Sequence, residues 1–281
     1  MRFLVILLEM GSFSASLRDE LTARGRAYAE KRRIDVSESH SRFPVICFPP
    51  SDKRSHGNFL PQSYRAILSN EHWRSRLQKP HTTGKNAFPR GDYSWRELDS
   101  SVSSDALLMN IFCFPGLFAE IAVRSLLNVE PDVIAEFGVK ARVPLANGRF
   151  DRTEVDMRLG HLLVEAKLTE ADFQRKDLSV LSTYRDFGSV FDFESLPRAG
   201  KTCAGYQLIR NVLAAHANHS AFCVMLDARR PDLREAWYSV MRSVTDCELR
   251  VRCQMLTWQE LSAVLPRRLQ SFLGEKYGIV A

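Results

Sequence analysis

Long apolar runs are missing from this 281-residue sequence. No stretch approaches the roughly 20 consecutive apolar residues that a membrane-spanning helix needs, so no membrane span is expected. The apolar start, MRFLVILLEM, runs for six residues before Glu9 interrupts it, shorter than a secretory core, and reads as an ordinary amphipathic beginning. The six cysteines (Cys47, Cys113, Cys203, Cys223, Cys247, Cys253) form no C-x-x-C pair and no Cys/His cluster at zinc spacing. That argues against a zinc site or a disulfide framework and for reduced thiols in a cytoplasmic protein. Glycine-rich phosphate loops are absent too: there is no G-x-x-x-x-G-K-[ST] and no G-x-G-x-x-G, so neither a nucleotide motor nor a dinucleotide site is indicated. The histidines offer no ligand pair. His161 reads as a turn residue, and His216 and His219 fall at a helix end, where capping is the common role.

What is present is positive charge, unevenly placed. Of 39 basic residues 30 are arginine, the planar donor that grips phosphate bidentately. Residues 1–100 hold 17 basic against 11 acidic side chains, while residues 101–281 hold 22 of each, so the whole excess of +6 lies in the first third. An anionic polymer is the partner this favours.

The same boundary separates two kinds of pattern. In residues 1–100 helical stretches such as Leu17–Arg33 give way, between Arg42 and Tyr93, to a proline- and glycine-broken segment with Tyr64, Trp73 and Trp95 among the basic residues. This reads as a basic, loop- and helix-containing accessory region. From Ser101 the signals sharpen. Ser103-Ser104-Asp105 starts a capped helix, and LFAEIAVRSLL after Pro115-Gly116 predicts a second one carrying Glu120. Strands are predicted at 133–144, 153–159 and 162–168, followed by a polar connection of roughly 35 residues. A helix over 203–216, a strand over 221–227, a helix over 233–244, a strand over 249–257 and a helix from Gln259 complete one mixed α/β domain over 101–281.

The segment Thr153–Leu168 carries the chemistry. If Gly160-His161 form a two-residue II′ turn, paired positions sum to 321 and Asp156 faces Glu165, with Glu154 facing Lys167. Glu165 and Lys167, two apart, share that face, and Val155, Met157, Val164, Ala166 and Leu168 take the other. Carboxylates this close repel unless a cation lies between them, and hard oxygen ligands suit Mg²⁺, which also binds substrate phosphate. The Ala166 carbonyl is a natural further ligand, and a lysine alongside could orient water or stabilise charge on phosphorus. Ordinary cross-strand salt bridges on a surface hairpin are the competing explanation. Against it, Lys167 is the one lysine of nine with an acidic residue two positions earlier.

Asp156 followed by Glu165-Ala166-Lys167, in that order of elements, resembles the PD-(D/E)XK superfamily of restriction-endonuclease-like nucleases over residues 103–230. The resemblance implies an αβββαβ core, a mixed sheet flanked by helices, with Asp156 and Glu165 as metal ligands and Lys167 as the catalytic lysine. It also implies an extra glutamate before the first strand, for which Glu120 fits and Glu136 and Glu154 compete. Some branches add a glutamine on the helix after the third strand, where AGYQLIRN supplies Gln207 with Tyr206 and Arg210 beside it. Strings at Ser103–Asn110, Glu165–Glu170 and Tyr206–Arg210 resemble a bacterial restriction-endonuclease-like branch. One departure is Val155, where the motif has proline before the aspartate. Asp227 reads as a turn-initiating aspartate before Arg229-Arg230-Pro231.

The expected activity is a Mg²⁺-dependent deoxyribonuclease, Mn²⁺ serving as substitute, and most simply an endonuclease. Cutting both strands with one site per chain would call for a homodimer. The alternative is a catalytically silent module that keeps the nuclease fold to hold nucleic acid.

Overall fold

The computed structural model describes residues 2–40, 43–49, 55–80, 89 and 94–281, with side chains from Phe13 onward. Pro50, Gly84, Gly91 and Tyr93, part of the segment read as broken, lie outside these. Two compact units emerge: residues 1–135 with 257–281, and residues 136–256. The boundary near residue 100 marks a change of composition, a different property from this division by contacts.

The first unit is helical. Arg2–Arg32 is one long helix, and Pro61–Ser69, Glu71–Arg76, Ser104–Phe112, Ile121–Leu127, Trp258–Val264 and Arg267–Tyr277 follow. Ser103 caps its helix as its sequence predicts, its hydroxyl accepting from Ala106 N at 3.1 Å. All nine residues of Ser104–Phe112 are buried, which its apolar composition requires. The C-terminal stretch is two helices because Pro266, extended at ψ 140°, cannot continue the first one.

The second unit is built on a five-stranded sheet. Its strands are β1 (Ala135–Lys140), β2 (Glu154–Leu159), β3 (Leu162–Ala166), β4 (Ala221–Leu226) and β5 (Cys253–Thr257), in the spatial order β5-β4-β3-β2-β1. β2 and β3 are antiparallel and pair Met157 with Val164 and Leu159 with Leu162, the register that sums to 321. Gly160 at the turn has φ 56°, and His161 is not in the left-handed region, as a II′ turn requires. β3 and β4 run parallel, with Leu163 beside Phe222 and Glu165 beside Val224. The fold is therefore mixed α/β, a five-stranded sheet flanked by helices that is compatible with a restriction-endonuclease-like core.

Several elements differ from expectation. The polar connection after β3 contains a small three-stranded antiparallel sheet, Arg175–Asp177, Thr202–Ala204 and Arg198–Ala199, and two one-turn helices. The helix expected from Cys203 begins at Tyr206, because Gly205 at φ 76° breaks the chain direction and Cys203 pairs with Lys176. The strand expected from Leu249 begins at Cys253; Asp246 instead caps a short helix, Cys247–Val251. The region around β3 is not an open hairpin: its five residues are all buried, because strands pair on both edges and helix Tyr206–Ala217 covers one face. Leu163, Phe222, Val224 and Leu226 meet Leu208, Val212 and Leu233 in that layer.

Candidate metal and nuclease centre

The face of β3 that the sequence marks as polar is the one helix Tyr206–Ala217 closes. Glu165 is 2% exposed and Lys167 5% exposed. Such groups need partners to be tolerated in an interior. Lys167 Nζ donates to Glu165 Oε1 at 2.7 Å, and Asn211 Nδ2 donates to Glu165 Oε2 at 2.8 Å. Asn211 is itself fully buried, and its Oδ1 accepts from Arg210 Nη2 at 2.9 Å. Arg210 Nη2 also reaches the Glu154 carbonyl at 3.0 Å, tying the helix to the start of β2. One hydrogen-bonded chain thus runs Arg210–Asn211–Glu165–Lys167.

Asp156 stands at the edge of this group, half-buried on β2. Its Oδ2 accepts from Ala166 N at 2.8 Å, so the aspartate bonds the main chain between Glu165 and Lys167. Lys167 N donates to Met225 O at 2.8 Å, which locks the end of β3 to β4. Its ammonium also lies 5.6 Å from the Phe173 ring centre.

The electrostatics favour the charged forms. Burial opposes ionisation of Glu165, but the charges of Lys167 and Arg210 and the bonds from Lys167 and Asn211 hold its pKa below the ordinary value. Burial likewise opposes charge on Lys167, yet the carboxylates of Glu165, Glu170 and Asp156 outweigh it and raise its pKa. At neutral pH Lys167 is therefore an ammonium, a donor of charge and hydrogen bonds and not a base.

Residues after β3 are pinned. Arg230, fully buried, donates to the carbonyls of Leu168 (3.2 Å), Glu170 (2.8 Å) and Ala171 (3.1 Å) and to Asp232. Glu170 Oε2 accepts from Leu168 N at 2.6 Å. Gln207, in the first turn of its helix, is half-buried, and its N donates to Phe173 O at 3.0 Å. Tyr206 bonds Tyr184 at 2.8 Å, and the Tyr184 hydroxyl donates to Asp151 at 2.6 Å.

Asp156, Glu165, Ala166 and Lys167 come together, with Arg210 beside them. Glu120 falls in the first unit, exposed, at the N-cap of Ile121–Leu127 and not within the helix as expected. Glu136 is exposed and bound bidentately by Arg158, and the Glu154 side chain is exposed. Asp227 does initiate the turn, its carboxylate accepting from Arg229 N at 2.9 Å and from the Arg229 guanidinium. His216 pairs with Asp246 at 3.7 Å in the last turn of its helix. Asn211, Glu170 and Arg230 were not singled out in the sequence. Asn211 had a signal, since it lies four residues after Gln207 on the same helix face; Arg230 had none, because burial of an arginine is not legible from its neighbours in sequence.

Residues 26–278 match the family described as Restriction Endonuclease associating with ARP. The chain belongs to that family. No curated protein and no solved structure matches it. The buried group on β2 and β3 holds Asp156, Glu165 and Lys167, the residues that the resemblance in sequence singles out. The donor set also says what ion it suits. Among the described residues no three His, Cys, Asp or Glu side chains gather closely enough to hold a metal by themselves. Two carboxylates and a main-chain carbonyl are an oxygen-only donor set, whose chemistry suits a hard cation such as Mg²⁺ and not a thiolate- or imidazole-bound zinc. Among the described residues no helix is long and apolar enough to cross a membrane.

Proposed function

We propose that this restriction-endonuclease-like chain is a Mg²⁺-dependent nuclease that hydrolyses DNA phosphodiester bonds, most simply as an endonuclease. The observation that carries the reading is the buried Glu165 carboxylate, held between Lys167 and Asn211 on the central strand, with half-exposed Asp156 bonded to the main chain beside it. Burying a carboxylate and an ammonium together is costly and adds little stability over apolar residues, so the pair calls for a role other than stability.

In this reading Asp156, Glu165 and the Ala166 carbonyl would hold the ion, Mg²⁺ or in its place Mn²⁺, whose Lewis acidity would offset charge on the scissile phosphate and activate water. The protein's own contribution is positional. Asn211 fixes the plane of Glu165, the Ala166 amide fixes Asp156, and Arg230 fixes the turn that follows Lys167. Lys167, held as an ammonium, places positive charge where a pentacovalent phosphorus gathers negative charge. Gln207, half-buried and without a side-chain hydrogen bond to any described residue, is free to donate to a phosphate or to water. Localisation in the cytoplasm goes with the six cysteines, all free. A two-fold dimer would be needed to cut both strands at once.

A second reading has an observation of its own. Both Glu165 oxygens already accept bonds from Lys167 and Asn211, as a silent module that only holds nucleic acid would show. Supercoiled and linear DNA incubated with and without Mg²⁺, beside Asp156→Ala, separates the two. Nicking or linearisation that needs Mg²⁺ and disappears in the variant supports the nuclease. Retained DNA binding with no Mg²⁺-dependent product sinks it.

A further inference from the structure

Helix Pro231–Met241 carries a second assembly that the nuclease chemistry does not use. Its outer face, with Arg242 and Arg250, lines a groove of about 750 Å³ that includes none of the candidate-site residues. Arg234, Tyr238 and Arg242 are spaced four apart and so form one stripe on the helix. All are exposed, Tyr238 at 59%. Arg250 faces the same groove from helix Cys247–Val251.

The arginines lack the carboxylates that normally neutralise a helix surface. The residue four from both Arg234 and Arg242 is Tyr238. Asp232 is taken by buried Arg230 at 2.7 Å. Asp246, four before Arg250, caps its own helix at Leu249 N (3.0 Å) and pairs with His216. Glu235, next to Arg234 in sequence, lines the same groove and is the one carboxylate there. Neither Arg234 nor Arg242 makes a side-chain hydrogen bond or ion pair with a described residue, and Arg250 reaches only the Cys247 sulfur, at 3.7 Å.

Three guanidiniums against one carboxylate, around an exposed aromatic ring, match the chemistry of a polynucleotide backbone with an unstacked base. We propose that this groove binds a single-stranded segment of nucleic acid, the arginines on successive phosphates and Tyr238 stacked on a base. The groove begins at Pro231, and the residue before it, Arg230, holds the carbonyls of Leu168, Glu170 and Ala171 just after Lys167. A strand held here rests on the element that anchors the end of the candidate centre. The assignment relies on the nuclease reading only in taking that strand to be part of the substrate.

The test is fluorescence anisotropy of a labelled single-stranded oligonucleotide in EDTA, with the full chain, with Arg234→Ala/Arg242→Ala/Arg250→Ala together, and with Tyr238→Ala. These side chains are exposed, so the variants should keep the thermal transition of the parent. The triple variant should lose at least about tenfold in affinity, and its log–log salt slope should flatten by roughly two, for three phosphates at about 0.7 each. Tyr238→Ala should lose about fivefold. Unchanged affinity in the triple variant, no binding by the parent, or tighter binding of a polyglutamate of equal charge overturns the groove. Mg²⁺-dependent plasmid cleavage is scored separately: binding lost in the triple variant with no cleavage by the parent upholds the groove and sinks the nuclease.

Discussion

Asn211 Nδ2 lies 2.8 Å from Glu165 Oε2, on the carboxylate oxygen that Lys167 does not bond. A helix thereby sets the orientation of an acidic group on the central strand. If Glu165 holds a cation, Asn211 acts through it as a positioning residue. Asn211→Ala should weaken Mg²⁺ activation by about 10–100-fold, the usual effect of losing an outer partner of a metal ligand. A Mg²⁺ titration of cleavage checks this, because a shift in the half-activating concentration that excess Mg²⁺ restores would not follow from a general loss of fold.

Lys167 and Asp156 differ as targets. Lys167→Ala strips the nearest cation from a buried carboxylate, so it should lower stability by about 2–4 kcal/mol. Asp156 is half-buried, and its replacement by alanine leaves one main-chain N–H unbonded, costing about 1–2 kcal/mol. Urea unfolding of the two variants should rank them in that order. Equal stability would mean that the Glu165–Lys167 pair is as well solvated as an exposed one.

The register of this site was legible because alternation in β2 and β3 and the Gly160-His161 turn agree on one pairing. Its environment was not. Glu165 is the only acidic residue in a strand whose other members are Leu162, Leu163, Val164 and Ala166, but whether its face is open depends on helix Tyr206–Ala217, some 40 positions later. The small sheet Arg175–Asp177, Arg198–Ala199, Thr202–Ala204 has no sequence signature because strands of two or three residues show no period. Glu120 was expected on a helix face because LFAEIAVRSLL is apolar at helical spacing; the chain instead makes a one-turn 3₁₀ segment first, and Glu120 becomes a cap.

Arg230 should be among the least replaceable residues beyond Asp156, Glu165 and Lys167. Arg230→Met keeps volume but removes six bonds and leaves Asp232 buried without its cation. Breaking a buried pair by removing one member costs about 3–5 kcal/mol. Chemical denaturation should show that loss, and a cost below about 1 kcal/mol would contradict the buried network.

Thiol reactivity should single out Cys247. It is exposed, whereas burial pushes Cys47 and Cys253 up to about 12 and Cys203 up to about 11. Thiols shifted that far carry almost no thiolate at neutral pH and react slowly. Titration of the native chain with a chromogenic disulfide should give one fast equivalent, absent from Cys247→Ser; a fast phase surviving in that variant would show that a buried thiol is accessible.

Lys276 gives the first unit a pH dependence of defined sign. Its side chain is buried among Tyr28, Phe48, Phe272 and Tyr277, and Nζ donates to Asn58 O at 2.7 Å and to Asn58 Oδ1 at 2.5 Å. Burial, with some help from the charge of Arg32, pushes its pKa well below the ordinary lysine value. A neutral amine keeps two N–H donors, so both bonds to Asn58 survive deprotonation. Between the folded and unfolded pKa values the unfolded chain binds more protons, so stability rises with pH across that window and levels off above about 10.4. Below the folded pKa the full cost of a buried ammonium is present. Lys276→Met removes this contribution, so the stability difference between parent and variant should move in the parent's favour from pH 7 to pH 9.5 in urea unfolding. A difference that stays constant over that range would mean that the four rings and the Asn58 oxygens keep Lys276 charged, cation–π attraction outweighing desolvation.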